Sequence, residues 1–182
     1  MTDITVSAIP DRVPSADAAP ASDPSEARWD LIELLFFAYR DFVGDADDIL
    51  AHYGFGRAHH RVLHFVYRHP GIRVADLLDI LKITKQSLGR VLKQLVDQGF
   101  VIQKEGDRDR RQRLLYVTDK GENLALRLAR LQSERLGEAL ADLGPGAHEQ
   151  ARRFLTAVID ADSREGVQRL IARADRGRRM RP

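Results

Sequence analysis

The residues best suited to chemistry gather in two places within residues 84–120. The first place holds Lys85, Gln86 and Arg90, which are spaced to share the exposed side of one helix. A glutamine can make two hydrogen bonds to adenine, and an arginine can make two to guanine. The second place is the run Gly106–Arg113, whose arginines suit phosphates and narrow minor grooves. Both places indicate a nucleic acid as the partner.

Helical spacing explains how the first group would be presented. Leu88, Leu92 and Leu95 fall on one face, and this face would pack on a preceding short helix that carries Leu77 and Leu81. The opposite face is then left for a DNA major groove and its phosphates. We expect the following residues to contact DNA there: Thr84, Lys85, Gln86, Ser87, Gly89, Arg90 and Lys93.

A β-hairpin is predicted to carry the second group. The β-rich segments 100–102 and 114–117 bracket a polar tip, and Thr118 or Asp119 then starts a long helix as its N-cap. Two short helices, a tight turn and a hairpin describe a winged helix-turn-helix. The wing residues expected to contact DNA are Arg108, Asp109, Arg110, Arg111 and Arg113. An aspartate among these arginines would orient a guanidinium.

Composition narrows the class of protein. The chain has 182 residues, 43% of them hydrophobic and 31% charged, which suffices for a core and a solvated surface. Cysteine is absent, so thiolate chemistry and cysteine-based metal sites are excluded. No apolar run is long enough to span a bilayer, and the first residues lack the features of a secretory signal. We therefore expect a cytoplasmic protein without membrane contact and without a cofactor.

Charge is distributed unevenly along the chain. The net charge is only +2, yet residues 1–25 hold four Asp and one Arg, while residues 173–182 hold five Arg and one Asp. A basic end and a basic hairpin tip favour a polyanion partner, although such charged runs are also compatible with simple solvation. The Arg-rich end would add phosphate contacts or only increase solubility.

The whole chain is predicted to be mainly α with a small β-hairpin wing, in the order α-α-α-α-β-β-α-α. A last helix is expected over residues 147–174, and the long helices carry more apolar surface than one winged domain can bury. Apolar residues from Leu124 to Leu170 would therefore pack on a second copy. The predicted parts are a disordered leader at 1–25, a dimerisation and core helix at 26–56, a DNA-binding lobe at 57–118, dimerisation helices at 119–175, and a basic tail at 176–182.

Residues 30–175 resemble the MarR family of bacterial transcriptional regulators. The resemblance lies in VADLLDILKITKQSLGRVLKQLVDQGFV and in DRDRRQRLLYVTDKG, where the family has an Asp-Arg-Arg wing and a Leu-Thr-x-x-Gly helix start; here Val117 replaces that Leu. The resemblance implies a homodimer that regulates transcription, more often as a repressor, with Arg111 in the minor groove and Asp109 as its brace. A twofold dimer would place two recognition helices about 34 Å apart on a pseudo-palindromic operator.

The resemblance also implies a small aromatic or anionic effector, bound between the dimer helices and the DNA-binding lobe. The candidate pocket residues are Trp29, Phe36, Tyr39, Arg40, His59, His60 and His64. An open alternative is a metal- or haem-responsive regulator that uses the histidines from His52 to His69, among which His60 and His64 are four residues apart. We assign no metal ligand, because such a pair is more often structural.

Two other classes of function compete with DNA binding. An enzyme is disfavoured because the chain has no G-x-G-x-x-G, P-loop, G-x-S-x-G or H-E-x-x-H motif. The paired carboxylates of Asp107 and Asp109 lie among arginines, where they would stay ionised. A winged helix that binds protein is the other alternative, but its contact face would be more apolar than this one.

Overall fold

A computed structural model describes residues 27–106 and 112–179. The chain divides into two compact units, Met1–Ala38 and Tyr39–Pro182. The helices and strands are α1 Trp29–Ala51, α2 Arg57–Arg68, β1 Ile72–Arg73, α3 Val74–Leu81, α4 Lys85–Asp97, β2 Val101–Glu105, β3 Arg113–Val117, α5 Asp119–Leu143, α6 Ala147–Val158 and α7 Ala161–Arg179. The predicted fold class, mainly helical with a small β wing, is confirmed.

The described part of the first unit is the beginning of α1. Its large apolar side chains are exposed on every side of the helix, with Trp29 60% and Phe36 63% exposed. Phe36 and Phe37 stack edge to face with ring centres 5.2 Å apart. Contiguous exposed apolar side chains of this kind are unusual on the surface of a monomeric soluble protein.

The core of the second unit holds α2, α3 and α4 together. The predicted inner face of α4 is confirmed, since Leu88, Leu92 and Leu95 are buried in the same cluster as Leu77 of α3. Between α3 and α4 the chain turns through Lys82, whose φ of 51° is left-handed. Such a turn ends α3 and lets Thr84 start α4 at once.

Three strands form the wing sheet in the order β1-β3-β2, all antiparallel. The two long strands match the predicted hairpin, with Val101 opposite Val117 and Glu105 opposite Arg113. The sequence did not predict β1, because an alternating pattern cannot be recognised in only two residues. Its Arg73 pairs with Leu114, so α3 begins beside the half of β3 that lies nearer the tip.

A tight junction joins the end of α4 to the start of α5. Thr118, one of the two predicted candidates, is the N-cap: its Oγ1 accepts from the Gly121 amide at 3.1 Å and donates to the Gly99 carbonyl at 2.6 Å. A Cβ on Gly121 would lie 2.0 Å from the Phe100 carbonyl oxygen, so only glycine allows this approach. Lys120 donates to the Gln98 carbonyl at 2.9 Å and covers the Phe100 ring. The Thr-Asp-Lys-Gly sequence therefore fixes α5 against α4.

The C-terminal part differs from its prediction in two respects. The helix expected over residues 147–174 is two helices, because Ile159 is extended and Arg164 donates to the carbonyls of Thr156, Ala157 and Ile159. No glycine or proline marks this break in the sequence. In addition, Leu124 and Leu128 lie in the chain's own core and not on a face open to a partner. Leu136, Leu143, Phe154, Leu155, Val158 and Ile171 are exposed.

No helix in the described ranges is long and apolar enough to cross a membrane.

Candidate nucleic-acid interface

The outer face of α4 carries every residue that the sequence analysis assigned to it. Lys85, Gln86 and Ser87 are exposed at its first turn, and Arg90 and Lys93 follow one and two turns later. The opposite side of the same helix is buried, so the orientation of this face is fixed by the core. The face offers amide and guanidinium groups that can form hydrogen bonds with base edges.

The first turn of α4 is capped by Thr84. Its Oγ1 accepts from the Ser87 amide at 3.1 Å and lies 3.0 Å from the Ser87 hydroxyl, to which it donates. The Thr84 hydroxyl, which was expected to meet a phosphate, is therefore used within the helix cap. The positive end of the helix dipole remains at this exposed turn and favours an anion.

Gly89 lies at the middle of the exposed face. A Cβ built at this position would have no protein atom within 4 Å. Packing around Gly89 therefore does not require glycine, although glycine costs about 1 kcal/mol relative to alanine within a helix. The open space leaves room for another molecule to come close to the α4 backbone.

His59, near the start of α2, forms a hydrogen bond with the outer side of α4. Its Nδ1 accepts from the Gly56 amide at 3.1 Å, so the ring proton is on Nε2, which donates to Gln94 Oε1 at 2.5 Å. The ring also stacks on Phe55 with centres 4.7 Å apart. His59 was predicted to line the effector pocket, and its contact with Gln94, which joins residues 35 positions apart, was not predicted.

Two ion pairs involve residues of the proposed interface. Lys93 pairs with Asp97 on α4, and both side chains are exposed. Arg113 donates to Glu105 across the hairpin at 3.1 Å, while the Gly106 amide donates to the Gln112 carbonyl. Exposed pairs of this kind contribute little to stability, so each cation can exchange its carboxylate for a phosphate at small cost. Arg108, Asp109, Arg110 and Arg111 lie outside the described residues.

The candidate effector residues are divided between the two units. Trp29 and Phe36 belong to the first, whereas Tyr39, Arg40, His59, His60 and His64 belong to the second. Arg40 donates to Asp41 at 2.8 Å, and Tyr39 is exposed. The pocket that these residues were expected to form stays a prediction.

Two histidines of α2, His60 and His64, have lowered pKa values. Although His64 is open to solvent, the protein around it lowers its pKa to about 4, first by desolvation and then by the positive charges of His60, Arg68 and His69. Desolvation likewise lowers the pKa of His60. A neutral imidazole can bind a metal, yet residues 27–106 and 112–179 contain no group of three or more suitable ligands.

Comparison with known proteins identifies similar chains. A family model described as the MarR family matches residues 53–112. The chain is 45% identical over 139 residues to the HTH-type transcriptional regulator PetP of Rhodobacter capsulatus, which covers 76% of this chain and 84% of that protein. This relative is similar over most of both chains, far beyond the segment that the family model matches.

Solved structures are similar at lower identity. An uncharacterized SlyA-like transcription regulator from Listeria monocytogenes has a TM-score of 0.62 and 21% identity over 76% of this chain and 93% of that one. Streptococcus pneumoniae FabT, solved in complex with DNA, has a TM-score of 0.62 and 15% identity over 71% of this chain and 92% of that one. Both likenesses show a shared fold.

Proposed function

This chain belongs to the MarR family of transcriptional regulators, and we propose that it acts as a homodimeric repressor on a pseudo-palindromic DNA operator. The family resemblance predicted from the sequence is thereby confirmed. The observation that carries the proposal is the outer face of α4. Because the inner face of this helix is buried in the core, the amide and cationic side chains of the outer face are exposed to solvent. Such a regulator works in the cytoplasm, where the bacterial chromosome lies, and is not an enzyme.

We assign sequence recognition to the first half of α4. Gln86 suits adenine and Arg90 suits guanine, while Lys85, Ser87 and Lys93 suit the phosphates beside them. Gly89 would let the helix backbone come close to the groove. This part of the proposal is supported by exposure of these residues on one face of a helix whose other face is buried.

The wing is the second contact in the proposal. Arg108, Arg110, Arg111 and Arg113 would supply positive charge to the adjacent minor groove, with Asp109 orienting a guanidinium. The register of β2 and β3 supports this role, because it pairs Glu105 with Arg113 at the two ends of the tip sequence. A related fold, FabT, has been solved with DNA.

Dimerisation is supported by the exposed apolar residues. The beginning of α1 exposes aromatic and aliphatic side chains, and α6 exposes Phe154, Leu155 and Val158. Surfaces of this kind mark an interface with another protein chain. A twofold dimer would place two copies of α4 about one DNA turn apart, or about 34 Å.

Release by an effector is the last part of the proposal. A small aromatic or anionic molecule would bind among the aromatic, arginine and histidine side chains of the candidate pocket and weaken DNA binding. Their chemistry supports this class of ligand, because aromatic rings stack on aromatic rings and an arginine binds a carboxylate.

A salt titration of duplex binding tests the proposal. The bound duplex is first selected from random sequences, and its affinity is then measured by anisotropy from low to high KCl. We expect a steep fall of log K with log[salt], because several phosphates are neutralised. A shallow slope without sequence preference in the wild-type protein would disprove DNA recognition and favour a protein-binding module.

Two variants separate base contacts from phosphate contacts. Arg90→Ala should relax base preference at one operator position by about 1–3 kcal/mol, whereas Arg111→Ala should weaken all duplexes alike and reduce the salt slope by about one. Arg152→Ala is the matched control, since Arg152 is an exposed arginine on α6. If Arg90→Ala leaves base preference unchanged, α4 has been misplaced in the groove.

A further inference from the structure

The end of α7 is attached to the DNA-binding lobe of its own chain. Arg68, at the end of α2, donates to Asp175 at 2.7 Å, across 107 positions of sequence. Ala174 beside it is only 6% exposed, although Arg173, Asp175 and Arg176 around it are exposed. A buried alanine next to an ion pair shows that α7 packs here and does not project into solvent.

The place of attachment is the end of α2, which leads into strand β1. The pKa of His69 is lowered first by burial, then by the charge of Arg68 and then by the charge of Arg173. The pKa of Asp76 is lowered mainly by hydrogen bonds from Arg73, and the charge of Arg173 makes a small further contribution. Arg73 is the strand residue that pairs with Leu114 in the half of β3 nearer the tip. Arg173 therefore acts electrostatically on groups at the end of α2 and the start of α3.

The charge of this segment suits one kind of partner. Residues 173–182 contain five arginines and one acid, and that acid is Asp175, which is paired with Arg68. Arginine binds phosphate through two parallel hydrogen bonds, and Met180 is the only large apolar residue of the segment. A membrane or protein surface would demand more apolar side chains.

We propose that the C-terminal end of α7 is an accessory contact for the DNA backbone, held on the DNA-binding lobe by the Arg68–Asp175 ion pair. The contact rests on the proposed function and extends it beyond α4 and the wing. Because it engages phosphates alone, it adds affinity without adding base preference.

The first test removes charge from the segment in the full-length protein. R173Q/R176Q is compared with R152Q/R153Q, which removes two exposed arginines from α6. The selected operator duplex is titrated over a range of KCl. We expect the salt slope of R173Q/R176Q to fall by about 0.9 for each phosphate that the variant no longer neutralises, with the order of preferred bases unchanged. The control should keep the wild-type slope, and sedimentation should show the same oligomeric state for all three proteins.

The second test separates attachment from bulk charge. D175N makes the segment more positive, so bulk electrostatics alone would strengthen DNA binding. If Asp175 holds the segment in place, D175N should instead weaken binding severalfold, whereas D142N at an exposed acid of α5 should not.

Either of two results would overturn the inference. One is an equal salt slope for R173Q/R176Q and its control, and the other is D175N binding as tightly as the wild type or more tightly. A wild-type protein without salt-dependent duplex binding would instead refute the proposed function, so the two failures are distinguishable.

Discussion

His59 illustrates how a single side chain can position α4, the helix that we propose to contact DNA. Its two ring nitrogens are both engaged, one by the Gly56 amide and the other by Gln94 of α4. We expect His59→Ala and Gln94→Ala each to weaken operator binding by about two- to tenfold, the value of one hydrogen bond of ordinary strength. Because both substitutions remove the same contact, the double variant should bind DNA no more weakly than whichever single variant has the lower affinity.

The matched control for His59 is His52. Its ring lies 2.6 Å from the Asp48 carbonyl on α1 and belongs to the turn before α2, so His52→Ala removes a histidine without changing a contact to α4. Anisotropy titrations of the wild type and the four variants, with a thermal melt of each, give the comparison. Additive losses in the double variant would show that His59 does not act through Gln94.

At the level of the elements, the junction between α4, β2 and α5 depends on Gly121. Alanine at this position would bring its Cβ within 2.0 Å of the Phe100 carbonyl oxygen, which is backbone and cannot rotate away. The better helix propensity of alanine is worth about 1 kcal/mol, and overpacking of this kind costs about 1–3 kcal/mol or more. We expect Gly121→Ala to lower the free energy of unfolding, measured by urea denaturation.

Gly137 of the same helix is the control for this prediction. No atom lies within 4 Å of a Cβ placed there, so Gly137→Ala should keep or raise stability through helix propensity alone. Equal stability of the two variants would mean that α5 can shift at no cost, and that the Thr-Asp-Lys-Gly sequence does not fix it.

The elements also show what the sequence could and could not predict. The inner face of α4 was predicted correctly, and the cap of α5 was narrowed to Thr118 or Asp119, because periodicity and capping act within a few residues. The short strand β1 was missed because two residues are too few to show a pattern. The break at Ile159 was missed because it has no glycine or proline, and its local signal is only Asp160, which directly precedes α7. Contacts such as His59 with Gln94 depend on tertiary packing, so no spacing in the sequence indicates them.

For the whole molecule, we expect the apolar surface of α6 to decide whether two copies associate. Phe154 is 52% exposed in the single chain, so glutamate there should leave the fold of the chain intact. In a dimer, the same change would bury a charge at the interface, which is costly without a partner. We expect Phe154→Glu to reduce the sedimenting mass from twice the 20.6 kDa of one chain to that of one chain.

Dissociation of the dimer would also weaken operator binding, because one copy can occupy only a half-site. Linked copies bind about 10²–10⁴ more tightly when both half-sites are engaged, and a monomer lacks this advantage. Gln150→Glu, which adds the same charge at an exposed polar position of α6, should retain the dimer and its affinity. A Phe154→Glu protein that sediments and binds like the wild type would exclude this face of α6 as the interface and leave the exposed apolar residues of α1 as the surface to test next.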